Sequence, residues 1–467
     1  MTDYDLIVIG AGAVGENVAD YAHKRGLSVA IVEAELVGGE CSYWACMPSK
    51  ALLRSGHALE AAKRLDGAAQ AVTGTLDAAH VLARRNSFTS DWKDDGQVSW
   101  LESAGIALLR GHARITGEKT IEVGGESHSA RAAVAVVTGS LHTLPDVPGL
   151  AEAQPWGTRE ATSAQEVPES LLVIGGGVSG SELATAWSSL GSKVTLVARH
   201  GLLGGMEPFA GELVADALRS RGVDVRTGVN PVRVDRDEHG LVTTTLDDGS
   251  TIVTSEVLAA TGRRAHTADL GLETVGLEPG AWLDVDDTML VHGTDWLYAV
   301  GDVNHRVLLT HQGKYQARAA GEAIAARFQG TPLHTEPWGA HVATADHAAA
   351  PQVTFTDPEV ASVGLTEEKA RQQGIDVRTV EYELGNVAGA ALQADGYTGR
   401  ANLVVDESRG VVVGATFVGQ DVAEMLHAAT IAVVGEVPID RLWHAVPAYP
   451  TMNEVWLRLL ETYGRPE

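Results

Sequence analysis

The sequence predicts an α/β protein built on two glycine-rich strand–turn–helix units, with further domains around them. Three observations carry that prediction. The pattern GxGxxG occurs twice, at Gly10 and again at Gly175, each time between a β-branched run and a helix-like segment. The chain has 467 residues, more than one hydrophobic core usually serves, so about two to four domains are expected. Its composition is globular, 45% hydrophobic and 21% charged, with no low-complexity tract.

The first unit opens with Tyr4-Asp5-Leu6-Ile7-Val8-Ile9, a short apolar run of the kind that forms a buried parallel strand. It leads into Gly10-Ala11-Gly12-Ala13-Val14-Gly15 and then a helical stretch. A second strand, Ser28 to Val32, ends in Glu33. In this arrangement Gly10 permits the tight turn and Gly12 lets a pyrophosphate approach the backbone. Gly15 lets helix and strand pack closely, and the helix N-terminus faces the phosphate charge. Glu33 would accept hydrogen bonds from a ribose diol.

The second unit repeats the plan. Ser170 to Ile174 leads into Gly175-Gly176-Gly177-Val178-Ser179-Gly180, a helix follows, and then the strand Lys193 to Val197. Gly175, Gly177 and Gly180 take the three glycine roles. The strand ends in Ala198-Arg199-His200, with no acid. Arg199 and His200 can bind a 2′-phosphate, whereas a carboxylate there would repel it, so NADPH is favoured, with NADH possible. The alternative is that Arg199 is a solvated surface arginine. Two such units in one chain suggest two dinucleotides, such as a flavin and a nicotinamide, brought together for hydride transfer.

Charge narrows the class. Lys and Arg number 35 against 61 Asp and Glu, a formal charge of −26. That argues against a nucleic-acid surface and against attraction to anionic lipid. No apolar run approaches a bilayer-spanning length, and the start, MTDYD, is acidic where a secretory signal would be basic. A cytoplasmic location is expected. There a disulfide is usually transient and catalytic rather than structural. The only two cysteines, Cys41 and Cys46, lie in GGECSYWACMPSK. Two thiols cannot complete a four-cysteine zinc site and no His-x-x-x-His adjoins them, so no metal is expected and the redox reading leads. The segment should sit at or near a helix start, where thiol pKa is lowered.

These residues together resemble the flavoprotein disulfide reductases, a class I pyridine nucleotide-disulfide oxidoreductase family, over nearly the whole chain. The resemblance rests on GAGAVG, on C-x-x-x-x-C-x-P-S-K, on Thr138-Gly139-Ser140 and on GGGVSG. It continues through Ala260-Thr261-Gly262-Arg263, Thr294 to Gly301-Asp302, Phe355-Thr356-Asp357-Pro358-Glu359 and Pro450-Thr451-Met452-Asn453-Glu454. It implies two Rossmann-like domains, one for FAD and one for NAD(P), the second inserted in the first, and a C-terminal α+β dimerisation domain. The FAD domain would take residues 1–144 and 270–335, the NAD(P) domain 145–269, and the interface domain 345–467.

The resemblance also implies roles. Cys46 would be the sulfur against the flavin and Cys41 the one that exchanges with a substrate disulfide. Lys50 and Glu182 match a lysine–glutamate pair near the flavin. Asp302 would bind the FAD ribityl chain, and Ser140, Gly262, Gly301, Leu309 and Thr310 would complete the cofactor sites. A homodimer is implied, each active site completed by the other subunit.

The sequence departs from the family in three places. The stretch that usually reads His-Pro-Thr-x-x-Glu has Tyr449 before Pro450, with Glu454 in the glutamate position. With an ordinary pKa of ~10, tyrosine is a poor base at neutral pH but can donate a proton. It can equally be plain packing at a subunit seam. Between the cysteines stand Tyr43-Trp44-Ala45, with Glu40 before them, and the two rings are expected to narrow access to the thiols. Gln312-Gly313-Lys314-Tyr315 replaces the family's small residues, for which the sequence offers no reason.

The expected activity is an NAD(P)H-dependent reductase passing electrons through FAD and the Cys41–Cys46 pair to a small disulfide. The alternative is a quinone or electron-acceptor reductase, or a transhydrogenase-like flavoenzyme, in which the thiols are secondary. Mercury reduction needs a C-terminal thiol pair, and the segment ETYGRPE holds no cysteine.

Overall fold

The computed structural model describes residues 2–465; Met1 of MTDYD and the last two residues of ETYGRPE lie outside them. The chain forms two compact units, each assembled from three stretches of sequence.

The first unit takes residues Met1–Pro48, Asn86–Thr143 and Gly262–His347. Its seven-stranded sheet is centred on Thr2–Ile9, which pairs in parallel with Val29–Glu33 on one side and Glu126–Val136 on the other. Ala107–Arg110 extends it beyond Val29–Glu33, and Leu297–Ala299 adds in parallel to Glu126–Val136. The hairpin Ala113–Gly117 and Thr120–Val123 continues it antiparallel. Leu6, Ile7, Val8, Ala30, Ile31, Val134 and Ala135 are wholly buried, as strands covered on both faces must be. Helix Ala13–Lys24 packs against helix Thr310–Gln329 through glycine. A Cβ on Gly321 would sit 2.8 Å from the Cβ of Tyr21, so only glycine allows that approach.

The second unit takes Ser49–Arg85, Leu144–Thr261 and Ala348–Glu467. It holds a four-stranded parallel sheet in the order Asp224–Thr227, Lys193–Ala198, Ser170–Ile174, Glu256–Ala259. A three-stranded antiparallel sheet, Pro231–Arg236 to Thr251–Thr254, is formed by neighbouring stretches of the chain. The C-terminal part is a five-stranded antiparallel sheet from Pro351–Thr354 to Val377–Glu383. Its central strand, Val411–Gly419, is buried along its whole length. Helices Leu426–Val434 and Val455–Tyr463 belong to the same part.

The architecture is therefore α/β, with two Rossmann-like sheets, each with a parallel core, and a C-terminal α+β region. Strand Leu297–Ala299 lies in the first sheet although the whole second sheet precedes it in sequence, so one nucleotide-type fold is inserted in the other. No helix among the described residues is long and apolar enough to cross a membrane.

Candidate active site

Both glycine turns are built by the same contacts. Gly10 has φ +104°, and a Cβ there would meet the Val137 carbonyl oxygen at 2.5 Å. Gly175 has φ +120°, and its Cβ would meet the Ala260 oxygen at 2.3 Å. A Cβ on Gly15 would lie 1.9 Å from the Gly10 oxygen, and one on Gly180 the same distance from the Gly175 oxygen. Gly12 and Gly177 differ: nothing crowds them closer than 3.9 Å. The middle glycine of each turn thus faces open space at a helix N-terminus, where an incoming phosphate would meet bare backbone N–H groups.

The strand ends diverge. The Glu33 carboxylate accepts from the Ala11 N–H at 2.9 Å and the Glu35 N–H at 2.8 Å. Burial raises its pKa against those two bonds. Arg199 and His200 are exposed and, among the described residues, have no ion pair.

Cys41 lies in the short helix Gly39–Tyr43, and Cys46 opens the next helix, Cys46–Lys63. Both are free thiols. The expected single helix start is instead a broken one, because Trp44 leaves helical geometry at φ −137°, ψ 0°. The Thr310 Oγ1 is 3.3 Å from the Cys46 Sγ, at the first turn of helix Thr310–Gln329. The Cys41 thiol pKa is raised, where the helix-start reading expected it lowered. The hydrogen bond shared with Cys46 is the largest cause and burial the next, while Thr310 and Lys314 push the other way. The neighbouring sulfur and burial together outweigh Thr310 and Lys314.

Elsewhere in the first unit, Asp302 accepts from the Ser140 hydroxyl at 2.5 Å, and Arg263 donates to the same Ser140 oxygen. Gly301 takes φ +82°, and its N–H donates to the Gln316 side chain at 2.8 Å. Gly262 also has positive φ, and its carbonyl accepts from the Thr143 N–H. Leu309 is the residue before helix Thr310–Gln329. In the second unit, Lys50 Nζ is 2.7 Å from Glu182 Oε2, and the Phe355 N–H donates to Glu182 Oε1 at 2.9 Å. Lys50 also lies over the Phe355 ring, 5.1 Å from its centroid. The Glu182 side chain is only 4% exposed, and two donors satisfy its buried charge.

Comparison with known proteins decides the family. Residues 4–326 match the pyridine nucleotide-disulphide oxidoreductase family, and residues 350–459 match its dimerisation domain. The chain belongs to this family. It is 31% identical to a mercuric reductase of Staphylococcus aureus over 97% of its length and 81% of the relative's. It is 32% identical to a dihydrolipoyl dehydrogenase of Thermus scotoductus, covering 97% of this chain and 96% of that one. The same fold occurs in an HOCl-induced flavoprotein disulfide reductase, RclA, of Escherichia coli, solved as a Cu(II) complex. That likeness has a TM-score of 0.83 and 22% identity, with 99% of each chain covered. As a pyridine nucleotide-disulphide oxidoreductase, the protein is an NAD(P)H-dependent flavoenzyme of disulfide chemistry, and its dimerisation domain supports a homodimer.

The residues present suit the family's cofactors. Gly12 and Gly177 each leave the open approach that a pyrophosphate needs. Glu33 stands at the strand end where a ribose diol would be held, and Asp302 presents a second carboxylate beside Ser140. When bound, FAD supplies the two-electron carrier between a nicotinamide and the thiol pair.

Tyr449 is 77% exposed, whereas Glu454 is buried, with Oε1 accepting from Arg458 at 2.6 Å and Oε2 without a partner among the described residues. No cluster of three or more metal-ligating side chains occurs among the described residues.

Several contributors escape the sequence pattern. Tyr43 does not stand over the thiols as a gate: it is 1% exposed, its hydroxyl donating to the Val37 carbonyl at 3.1 Å. The unexplained Gln312-Gly313-Lys314-Tyr315 stretch has a packing reason. A Cβ on Gly313 would meet Val14 Cγ2 at 2.6 Å. Gln312 and Gln316 both donate to the buried Asp346, and Gln316 in turn accepts from Gly301 and Asn304. That buried network fixes the loop carrying Asp302. The spacing Gln312–Gln316, one helical turn apart, is the signal that could have found it.

Proposed function

We propose that the protein is an NADPH:disulfide oxidoreductase in which Cys41 exchanges with a small disulfide substrate and Cys46 returns the electrons. The observation that carries this is the cysteine pair itself. Its two sulfurs share a hydrogen bond, and one of them is also held by Thr310 at a helix N-terminus. The neighbouring sulfur and burial keep the proton on Cys41 until substrate exchange demands it, and Thr310 and Lys314 ease its loss. Thiolate attack on the substrate disulfide forms a mixed disulfide at Cys41 and expels one substrate thiol. Cys46 then attacks Cys41, expelling the second thiol and closing the Cys41–Cys46 bond. Two electrons and two protons enter the substrate for each turnover.

NADPH is favoured over NADH because Arg199 and His200 stand exposed at the strand end, where a 2′-phosphate would lie. The Lys50–Glu182 pair, whose carboxylate is buried, supports the nicotinamide pocket in this reading. Residues 1–144 with 270–335, 145–269 and 345–467 form the FAD, NADPH and interface domains in this reading. Tyr449, exposed on the dimerisation domain, serves the other subunit's thiols as proton donor. Val446 and Ile431 of the same domain, 84% and 56% exposed, give that interface apolar area to bury. The chain's acidity and its two-cysteine economy favour a cytoplasmic location.

The test is Cys41→Ser. Reduction of disulfide substrates should be lost while NADPH still reduces the flavin. If activity survives with every acceptor, the thiols are secondary and an electron-acceptor reductase is the better description.

A further inference from the structure

Residues 89–94 form a turn that ordinary L-residues avoid. Ser90, Asp91 and Trp92 have φ of 49°, 49° and 54° in succession, closed by hydrogen bonds from Trp92 N to Thr89 O and from Lys93 N to Ser90 O. Left-handed backbone crowds each Cβ against the next carbonyl, and it normally occurs at single residues, not three together. None of the three is glycine. Such strain persists only where the surroundings over-determine it.

The surroundings here are the segment that carries Cys41. Trp92 Nε1 donates to the Tyr43 carbonyl at 3.1 Å, at the end of the short helix Gly39–Tyr43. The Tyr43 hydroxyl lies 3.4 Å from the Lys93 carbonyl as well as bonding Val37. Asp94 accepts from the Val37 N–H at 2.8 Å, and Arg110 holds the same carboxylate while also donating to the Glu35 carbonyl. Burial would raise the Asp94 carboxyl, but Arg110 and Val37 hold it below the usual carboxylate range. Three consecutive residues, 92, 93 and 94, therefore grip both ends of the stretch from Val37 to Tyr43. Cys41 lies within it. Cys46 lies beyond it, in its own helix and against Thr310.

We propose that this left-handed turn is a positioning bracket. Through Trp92 and Tyr43 it keeps the Cys41 sulfur at bonding distance from Cys46 whether the pair is oxidised or reduced. The inference rests on reading the pair as the redox couple. Its consequence is a high effective concentration of one thiol at the other, which favours the closed disulfide. Trp92→Phe keeps the ring and removes the N–H. The helix end at Tyr43 loosens, and Cys41 spends less time beside Cys46.

The test is equilibration of the purified flavoprotein with reduced and oxidised glutathione, in which closing the pair converts one oxidised glutathione to two reduced ones. The readout is the closing constant, with alkylation of Cys41 followed by mass spectrometry. Trp92→Phe should lower that constant about tenfold, equivalent to about 30 mV for a two-electron couple, and speed Cys41 alkylation several-fold. Tyr43→Phe, which removes only the hydroxyl, should act in the same direction and serves if the tryptophan variant folds poorly. Asp91→Gly relieves backbone strain but keeps the contacts, and should leave the constant within about twofold of wild type. Closing constants unchanged in both Trp92→Phe and Tyr43→Phe would overturn the bracket alone. A wild-type pair that never closes in the glutathione buffer would overturn the redox reading beneath it as well.

Discussion

Gly10–Gly15 and Gly175–Gly180 make the same turn in two different sheets, down to a shared 1.9 Å approach of the third glycine's missing Cβ to the first glycine's oxygen. The charges around the two turns are opposite in character. The first cradle ends at Glu33, half-buried and accepting from the Ala11 N–H, with Glu16 directly after the third glycine. The second ends at exposed Arg199 and His200, with fully buried Ser181 in the place of Glu16. In the function proposed above, each turn would be a generic phosphate site and the side chains at the strand end would choose the nucleotide. Glu33 at the first cradle would suit a free ribose diol, and Arg199 at the second would suit an added phosphate.

The sharpest way to break this comparison is to fill one turn at a time. Gly15→Ala should yield protein without flavin, seen as loss of the yellow absorption on purification. Gly180→Ala should keep the flavin yet lose NADPH-driven flavin reduction by at least about hundredfold, about 3 kcal/mol. Equal damage to both functions by either variant would show that the two turns are not separate sites. Next in size, Arg199→Glu should shift the NADPH to NADH preference in kcat/KM by about tenfold to hundredfold. An unmoved ratio would make Arg199 a solvated surface residue.

Lys50→Met leaves Glu182 buried with only the Phe355 N–H. Discounted for the partial exposure of Lys50, a loss of about 2 kcal/mol is expected, read as a lower denaturation midpoint. The smallest effect concerns Glu16, whose pKa is pushed up to about 7 by burial, with Lys314 opposing and Glu33 adding to it. A carboxyl with a raised folded pKa favours the fold below its unfolded pKa of about 4.5, and that advantage is lost as pH rises towards 7. Glu16→Gln should therefore stabilise the protein by about 1–2 kcal/mol at pH 8 and change little at pH 4. Thermal melts at the two pH values check this.

The two cradles are legible in the sequence because every part of them is local: strand, glycines, helix and strand end succeed one another within a few dozen residues. The cysteine pair is legible for the same reason. Its chemistry is not, because the Cys41 pKa depends on a proton shared with Cys46, and Cys46 is held by Thr310, 264 residues away. From sequence, Tyr43 is simply a ring near the thiols. Only the fold shows it turned inward onto Val37 and Lys93. The Phe355 N–H that satisfies Glu182 is likewise a backbone group 173 residues distant, which no side-chain motif encodes. Long-range backbone donors and coupled protons are what pattern reading cannot reach.

The most direct measurement is an anaerobic NADPH titration of the purified enzyme followed by visible absorption. The first two electrons should bring up a long-wavelength band from the Cys46 thiolate against oxidised flavin, and Cys46→Ser should lack it. Bleaching of the flavin by the first two electrons without that band in the wild-type protein would contradict it.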